Sequence, residues 1–378
     1  MRRVLAVLLV IVIVFYLTPT PAYATVGEPS VSAESAVLLD SASGDVLFSK
    51  NSDSRMGMAS TTKIMTALVA VENCDIKKKI EISPLAVGIE GSSIYLYARE
   101  QFTIEELLYA LLLRSANDAA AAIAIAVGGS IESFAEMMNE RAEQMGLKNT
   151  HFTNPHGLSD DDHYTSAYDL AIIASCAMKN DVLRKIVSTY KITIPFEDGT
   201  ENERFLVNHN KMLKLYDGAI GVKTGFTKAT GRCLVSAAER DGLLLIAATL
   251  NAPDDWNDHT KMLDFGFDSY ESVLIADVGE FSYPLPLVGG DDTHLRLTNT
   301  EQIRITLPKI RGDVTCKIET FHRFEFAPVY PGTELGKVTY SYNKKVFDSS
   351  SLVCDKFEKS ISYDDGLIDK IISFFKKD

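Results

Sequence analysis

The pattern of apolar and polar positions divides the chain into a strand region, a helical region and a second strand region. Two apolar segments within residues 35–51 flank a Ser-Gly-Asp turn, which predicts a β-hairpin. Helical spacing dominates from Ser60 to about Lys185, and strand-like segments return from about Lys191. Because these late strands must pair with the first hairpin, we expect an α/β (α+β) fold with one antiparallel sheet and a helical cluster.

Three helical segments stand out between the two strand regions. Residues 103–129 give the clearest pattern, with acidic residues in the first turn and a Gly-Gly pair at the end. Further helices are predicted over residues 130–147 and 165–179, and Ser166 and Asp169 have the spacing of a capping box. The late strands are predicted in the segments "KITIPFE", "AIGVKTGF", "RCLVSAAER" and "LLLIAATLN".

The C-terminal part has a different texture. Residues 276–362 contain short alternating strands separated by Gly, Pro and Asn turns, which predicts a small all-β domain. Residues 363–378 form an amphipathic helical pattern with apolar side chains on one side. Its polar side carries Lys370, Lys376 and Lys377, so we favour a membrane-anchoring helix over one that docks on the domain.

The N-terminus has the three parts of an export signal. Arg2 and Arg3 precede the apolar segment Val4–Leu17, and Ala22 and Ala24 form a cleavage pattern. We expect a signal peptide cleaved after residue 24, with a retained anchor as the alternative; either places the body of the protein outside the cytoplasm. Together with the terminal helix, this predicts a location at the outer face of the cytoplasmic membrane, in the cell envelope. The predicted division is a signal peptide (1–24), an α/β domain (25–275), the all-β domain (276–362) and the anchoring helix (363–378).

Charge and cysteine content narrow the possible partners. The net charge is −13, and the only short basic run is Lys77–Lys79, so we expect no nucleic-acid partner. The histidines are scattered without a ligand pattern, and we expect no metal and no cofactor. The chain has five cysteines. Cys316 and Cys354 could pair, but isolated thiols are the preferred interpretation.

The segment "MASTTKIMTAL" carries the first candidate chemistry. Ser60 and Lys63 are three residues apart at the start of an apolar helix, so their side chains can meet. A serine hydroxyl needs a base to become a nucleophile. An ordinary lysine has a pKa of about 10.4, so Lys63 can be that base only if its pKa is lowered. The alternative is a lysine that extends to solvent.

Two further motifs make the pattern specific. S-x-x-K occurs at four places in the chain, but only Ser60 opens an apolar helix. "LLRSAND" contributes S-x-N at Ser115 and Asn117, and "GVKTGFT" contributes K-T-G at Lys223–Gly225. An ordered trio of this kind is far more specific than any one member. Ser115 could otherwise be a mid-helix serine that bonds back to its own turn.

This trio resembles the penicillin-interacting serine acyl-transferases. Together with "NPHGL" at residues 154–158, it is similar to the serine D-alanyl-D-alanine carboxypeptidases, the low-molecular-weight penicillin-binding proteins. The resemblance covers residues 30–265 strongly and the later architecture more loosely. It implies a penicillin-binding-protein/β-lactamase-like fold, peptidoglycan stem peptides as substrates, β-lactams as inhibitors and removal of a terminal D-alanine through an acyl-serine.

The resemblance also assigns roles to the other motif residues. Lys223 would be the second cation that lowers the pKa of Lys63, and Ser115 would relay a proton to the leaving amine. Asn117 would hold Lys63 and the substrate amide. Lys223 and Thr224 would bind the terminal carboxylate, while Gly225 would leave room for the peptide. The backbone N–H groups of Ser60 and Phe226 would form the oxyanion hole.

Some interpretations stay open. Asn154–Gly157 is predicted as a tight turn, with His156 outside the catalysis. Some relatives carry an arginine downstream of K-T-G, and the comparable segment "NAPDDWNDHTKML" has none. A β-lactamase is the alternative on the same scaffold, although no glutamate-containing loop is evident between Asn117 and Lys223. Transpeptidase or endopeptidase activity shares every motif, and a non-catalytic envelope-binding protein is the remaining alternative.

Overall fold

The computed structural model describes residues 27–195, 203–309, 314–342 and 345–359. The predicted signal peptide (1–24) and the predicted terminal helix (363–378) lie outside these ranges.

The helices and strands alternate in blocks, as the apolar pattern predicts. The helices are α1 (Lys63–Asn73), α2 (Ile104–Leu113), α3 (Asn117–Gly128), α4 (Ile131–Gln144), α5 (Ala167–Met178), α6 (Asp181–Ser188), α7 (Met212–Leu215) and α8 (Asp255–Ser269). The strands of the first part are β1 (Ser35–Asp40), β2 (Val46–Lys50), β3 (Lys79–Glu81), β4 (Gln101–Thr103), β5 (Lys191–Pro195), β6 (Glu203–Val207), β7 (Ala219–Thr227), β8 (Gly231–Arg240) and β9 (Leu243–Leu250).

A five-stranded antiparallel sheet organises the first part of the chain, in the order β2-β1-β9-β8-β7. Ser35 pairs with Leu250, so the late strands do pair with the first hairpin, and the fold prediction is confirmed. Successive side chains of β8 point to opposite faces. Val235 packs with helices α1 to α6 on one face, and Leu234 packs with α8 on the other. The sheet is thus buried on both faces, and β7 is its edge beside the helices.

Two local expectations were wrong. The helical pattern of residues 103–129 is broken at Arg114–Ala116 into α2 and α3, and Ser115 has a positive φ of 61°. The break carries Arg114 and Ser115, and two polar residues also fit the outer face of one continuous helix, so periodicity alone does not reveal it. Strand β5 pairs with β6 in a separate two-stranded hairpin and does not join the main sheet.

The C-terminal part is built of strands, and this prediction is confirmed. Its strands are β10 (Tyr270–Ala276), β11 (Tyr283–Val288), β12 (His294–Asn299), β13 (Ile303–Pro308), β14 (Val314–Thr320), β15 (Glu325–Phe326), β16 (Glu334–Tyr342) and β17 (Lys345–Cys354). Strand β10 pairs with β13, and the other six form one sheet. Strand pairing in this part therefore begins at Tyr270; the boundary between residues 275 and 276 stays a prediction.

All five cysteines lie in the described ranges and are free thiols, so the preferred interpretation holds for Cys316 and Cys354. Within the same ranges, no single helix has the length and apolar character needed to cross a membrane. The bent pair Asn117–Gly128 and Ile131–Gln144, at 81°, meets the requirement together by length and composition only.

Candidate active site

A short 3-10 turn, Ala59–Thr62, presents Ser60 immediately before α1 begins at Lys63. The turn does not follow ordinary N-cap chemistry, because no hydroxyl caps the helix. The Thr61 and Thr62 hydroxyls instead donate back to the carbonyls of Met58 and Ala59, at 2.6 and 2.7 Å. Both threonine side chains are thereby committed to the turn, and the Ser60 hydroxyl lies 3.0 Å from the Lys63 amine.

The Lys63 side chain is fully buried and has three oxygen neighbours. Its Nζ lies 3.0 Å from Ser60 Oγ, 2.7 Å from Asn117 Oδ1 and 2.5 Å from the His156 carbonyl oxygen. The expectation that Lys63 meets Ser60 is therefore met geometrically. The alternative, a lysine that extends to solvent, is excluded by the burial.

These three neighbours fix the direction of the lysine lone pair. A neutral amine has two N–H donors and one lone pair, and a carbonyl or amide oxygen can only accept. The two N–H groups must then point to Asn117 Oδ1 and the His156 carbonyl. The Asn117 orientation is set independently, because its Nδ2 donates to the Glu90 carbonyl at 2.6 Å. The lone pair of a neutral Lys63 is left facing the Ser60 hydroxyl.

The electrostatics favour the neutral form of Lys63. Burial lowers its pKa well below the ordinary value, and the charge of Lys223 lowers it further, against a smaller opposing effect of Asp118. Burial also lowers the pKa of Lys223 to about 7. The two buried amines therefore cannot easily both be charged at neutral pH.

The break between α2 and α3 positions the S-x-N residues. Ser115 lies in the break, 5% exposed, and Asn117 is the first residue of α3. The Asn117 backbone N–H donates to the Ser92 carbonyl at 2.7 Å, so backbone and side chain are both fixed against the 90–92 segment. The mid-helix interpretation of Ser115 does not apply, since no helix runs through it.

The K-T-G residues lie on the edge strand β7. Lys223 is 1% exposed, and its Nζ donates to the Thr224 carbonyl at 2.9 Å. A Cβ at Gly225 would come within 3.1 Å of both the Met58 carbonyl oxygen and the Ser60 nitrogen. The close approach of the serine turn to the strand therefore favours glycine here, because a Cβ would require the turn to shift by a few tenths of an ångström. The next residue, Phe226, is 64% exposed.

One open cleft of about 380 Å³ joins these elements. It is lined by Ser60, Ser92, Ser115, His209, Lys211, Thr224, Gly225, Phe226, Arg232, Asp255 and Trp256. Lys63 and Asn117 lie behind Ser60 and bond to it or to each other. The structure therefore brings residues of all three motifs to one place, and the charge of Lys223, which is not among the residues lining the cleft, still acts on Lys63.

The turn at Asn154–Gly157 is a tight turn, and it also supports the lysine. Asn154 Oδ1 accepts the backbone N–H groups of His156 and Gly157, which holds the turn closed. Gly157 has a φ of 84°, and a Cβ there would lie 2.0 Å from the Ala59 carbonyl oxygen. The turn thereby delivers the His156 carbonyl to Lys63. Sequence reasoning missed this backbone contact, for which the "NPHG" turn chemistry was the available signal.

The other histidines and acids have structural surroundings. His163 Nε2 lies 2.8 Å from the Thr62 hydroxyl, and burial lowers the pKa of its ring to about 4. The Asp169 carboxylate accepts from the Asn149 N–H and the Thr150 hydroxyl, so the expected reciprocal capping box is not formed. Asp160 to Asp162 are exposed, as expected of a loop. In the described part of the chain, no group of three or more His, Cys, Asp or Glu side chains could hold a metal ion.

Comparison with known proteins agrees with this geometry. The family model described as D-alanyl-D-alanine carboxypeptidase matches residues 22–254. The chain is 34% identical to D-alanyl-D-alanine carboxypeptidase DacF of Bacillus subtilis, over 96% of each chain. It is 36% identical to a Streptomyces D-alanyl-D-alanine carboxypeptidase, over 66% of this chain and 91% of that one.

A solved structure shows the same fold. Penicillin binding protein 5 from Haemophilus influenzae superposes with a TM-score of 0.73 and 29% identity, over 89% of this chain and 100% of that one. The chain belongs to the D-alanyl-D-alanine carboxypeptidase family and is a serine-type hydrolase. The resemblance inferred from the motifs is confirmed.

Proposed function

We propose that the protein removes the terminal D-alanine from peptidoglycan stem peptides, with Ser60 as nucleophile and Lys63 as general base. The observation that carries this proposal is the arrangement of three oxygen atoms around Lys63 Nζ. It leaves the lone pair of the neutral amine free to accept the Ser60 proton. β-Lactams would acylate the same serine.

In the first step, Ser60 Oγ attacks the carbonyl carbon of the D-Ala-D-Ala bond while its proton passes to Lys63. A C–O bond forms, and the carbonyl oxygen becomes an oxyanion. The backbone N–H groups of Ser60 and Phe226 would stabilise that charge. The close approach of Gly225 to the Ser60 nitrogen supports this pairing, since it brings the strand and the turn together.

In the second step, the C–N bond breaks and the leaving D-alanine amine takes a proton. Ser115 would relay this proton from Lys63, which then returns to its neutral form. Asn117 would hold Lys63 and the substrate amide, and Lys223 and Thr224 would bind the terminal carboxylate. Water then attacks the acyl-serine, and the shortened peptide leaves.

Substitution of the nucleophile tests this assignment. Ser60→Ala should abolish both penicillin labelling, followed by intact-mass analysis, and D-alanine release from a D-Ala-D-Ala peptide. Ser188→Ala is the matched control, because Ser188 begins another S-x-x-K sequence at the end of α6, outside the cleft. Stoichiometric labelling of the Ser60→Ala protein would refute the role of Ser60.

The carboxypeptidase and the β-lactamase differ in the water step. The one carboxylate among the described residues lining the cleft is Asp255, which pairs with Arg232. Without a separate carboxylate base to activate the attacking water, a penicilloyl adduct should persist for minutes or longer, while D-Ala-D-Ala peptides turn over. Rapid penicillin turnover without D-alanine release would favour the β-lactamase.

We further propose that the protein is exported and lies at the outer face of the cytoplasmic membrane, where residues 363–378 bind the bilayer. The division into a catalytic domain (25–275) and an all-β domain (276–362) belongs to this proposal. The supporting pattern is the apolar face and the three lysines of the terminal segment. A protein ending before Gly366 should stay active but no longer float with anionic liposomes. Equal flotation of both proteins would indicate a helix that docks on the domain.

A further inference from the structure

The cleft contains an arginine that does not belong to the segment in which some relatives carry one. The segment after K-T-G where some relatives carry an arginine holds none here, and in the structure it contributes Asp255 and Trp256 to the cleft wall. Arg232, from β8, lines the same cleft as Ser60 and Thr224. A guanidinium is therefore present at the site, but it is supplied by a different strand.

Strand register places Arg232 on the same face as Thr224. Arg232 pairs directly with Phe226, and Thr224 pairs with Leu234. Side chains two residues apart on a strand share a face, so Thr224, Phe226 and Arg232 lie on one side of the sheet. Arg232 is the diagonal neighbour of Thr224, a separation of about 7 to 8 Å that a long side chain can bridge. The guanidinium can thus reach a ligand held by the Thr224 hydroxyl.

Two residues of α8 hold the guanidinium in place. Arg232 Nη2 lies 2.9 Å from Asp255 Oδ1, and the Asp255 side chain is 3% exposed while that of Arg232 is 42% exposed. The guanidinium carbon lies 5.8 Å from the centre of the Trp256 ring. One edge of the fork is anchored, and the exposed part of the side chain leaves further N–H donors for a ligand.

The other positive groups of the cleft are less suited to an anion. His209 lines the cleft, but burial lowers the pKa of its ring to about 4, so it is neutral at pH 7. Lys223, which the proposed function assigns to the terminal carboxylate of the substrate, has a pKa of about 7 and supplies only part of a charge at pH 7. Lys211 is exposed, on the loop before α7. A guanidinium, unlike an amine or an imidazole, is not deprotonated in proteins.

We propose that Arg232, anchored by Asp255, binds the carboxylate of the terminal D-alanine beside Thr224 and makes the enzyme selective for peptides with a free C-terminus. The inference rests on the proposed function, and it names a substrate-binding residue that the motifs do not include. A planar guanidinium and a carboxylate match in shape as well as charge, which a lysine does not reproduce.

The test measures how much the enzyme prefers a free carboxylate. For each variant, kcat/KM is compared between an N-acylated D-Ala-D-Ala peptide and the same peptide with a C-terminal carboxamide. Acylation rates with benzylpenicillin and its methyl ester give a second ratio where the amide is hydrolysed too slowly. Each ratio is taken within one preparation, so a loss of folded protein cancels. The variants are Arg232→Gln, Arg232→Lys and, as the matched cationic control, Lys211→Gln.

Arg232→Gln should lower the preference for the carboxylate about 10- to 100-fold, the range expected for a hydrogen bond to a charged group. The preference ratio of Arg232→Lys should lie between those of the wild type and Arg232→Gln, and Lys211→Gln should keep the wild-type ratio. Arg232→Gln leaves the Asp255 carboxylate without its ion-pair partner. The double variant Arg232→Gln/Asp255→Asn also removes this carboxylate and should show the same low preference. An unchanged ratio in Arg232→Gln would overturn the proposal and leave Arg232 as a link between β8 and α8. Absence of D-alanine release by the wild type would instead refute the proposed function.

Discussion

Lysine occupies opposite surroundings in the two parts of the molecule. In the catalytic part, Lys63 is fully buried among neutral oxygens, and burial lowers its pKa well below the ordinary value. In the all-β part, the Lys356 side chain is 57% exposed and lies 2.7 Å from an Asp292 oxygen and 3.1 Å from a Glu358 oxygen. Hydrogen bonds to these two carboxylates raise the pKa of Lys356.

The difference lies in the partners as much as in the burial. A carboxylate stabilises the charged form of lysine, whereas an amide or backbone carbonyl oxygen can also accept a hydrogen bond from the neutral amine. Asn117 and His156 therefore hold Lys63 in place without stabilising its extra proton. The lysine side chain is thus suited to act as a base in one part and is a surface ion-pair partner in the other.

The strongest test removes the ability of the buried side chain to become neutral. Lys63→Arg keeps a cation near Ser60, but a guanidinium does not lose its proton in a protein. Acylation by benzylpenicillin should slow by about 100- to 10,000-fold, the usual contribution of a positioned base. The adduct is followed by intact-mass analysis over time.

The control for this substitution is Lys356→Arg, which should acylate at the wild-type rate because it lies in the all-β part. Acylation of Lys63→Arg within about tenfold of the wild type would show that the charge, and not the loss of a proton, is what the site needs from Lys63.

A second test concerns the pH dependence of acylation. Lys63 must be neutral to accept the Ser60 proton, so the rate should fall as pH drops through its lowered pKa. Because the charge of Lys223 helps to lower that pKa, Lys223→Met should raise it and move the acidic limb to higher pH. The measurement is the shape of the pH–rate profile with benzylpenicillin, which is independent of weaker binding.

Lys211→Met provides the comparison for that profile, since it removes an exposed cation from the same cleft. Its acidic limb should stay in place. If Lys223→Met also keeps the wild-type limb, burial alone lowers the pKa of Lys63, and the two lysines are not coupled.

Much of this site could be predicted from the sequence because it depends on short motifs. Ser60 and Lys63 are joined by helix spacing, and the order of the three motifs identified the family. The pairing of the late strands with the first hairpin could be predicted because a two-stranded hairpin needs further strands to form a stable sheet. These features depend on local chemistry and on alternation, which a single sequence displays.

The parts that could not be predicted depend on long-range contacts. The break at Ser115 is not revealed by periodicity, because its polar residues Arg114 and Ser115 also fit the outer face of one continuous helix. The His156 carbonyl reaches Lys63 through the backbone, for which the residue type gives no sign. The position of Arg232 in the cleft is not evident from the order of residues along the chain, because the site is assembled across neighbouring strands.

The smallest predicted effect concerns stability and again compares the two parts. Lys223 is 1% exposed, and its Nζ donates to one backbone carbonyl. Lys223→Met replaces a buried charge by an apolar side chain of similar length, which removes the free-energy cost of burying that charge. We expect a higher free energy of unfolding, measured by urea denaturation, although the variant loses activity.

The pH dependence of that gain gives the sharper result. The pKa of Lys223 is about 7 in the folded protein and about 10.4 in an unfolded chain. Between these values the unfolded state binds more protons, so the wild type becomes more stable as pH rises. The advantage of Lys223→Met should therefore be largest at and below pH 7 and shrink towards pH 10. Lys356→Met, which removes an exposed ion pair, should show no such gain at any pH. A Lys223→Met protein less stable than the wild type at pH 6 would mean that the contacts of Lys223 outweigh the cost of burying its charge.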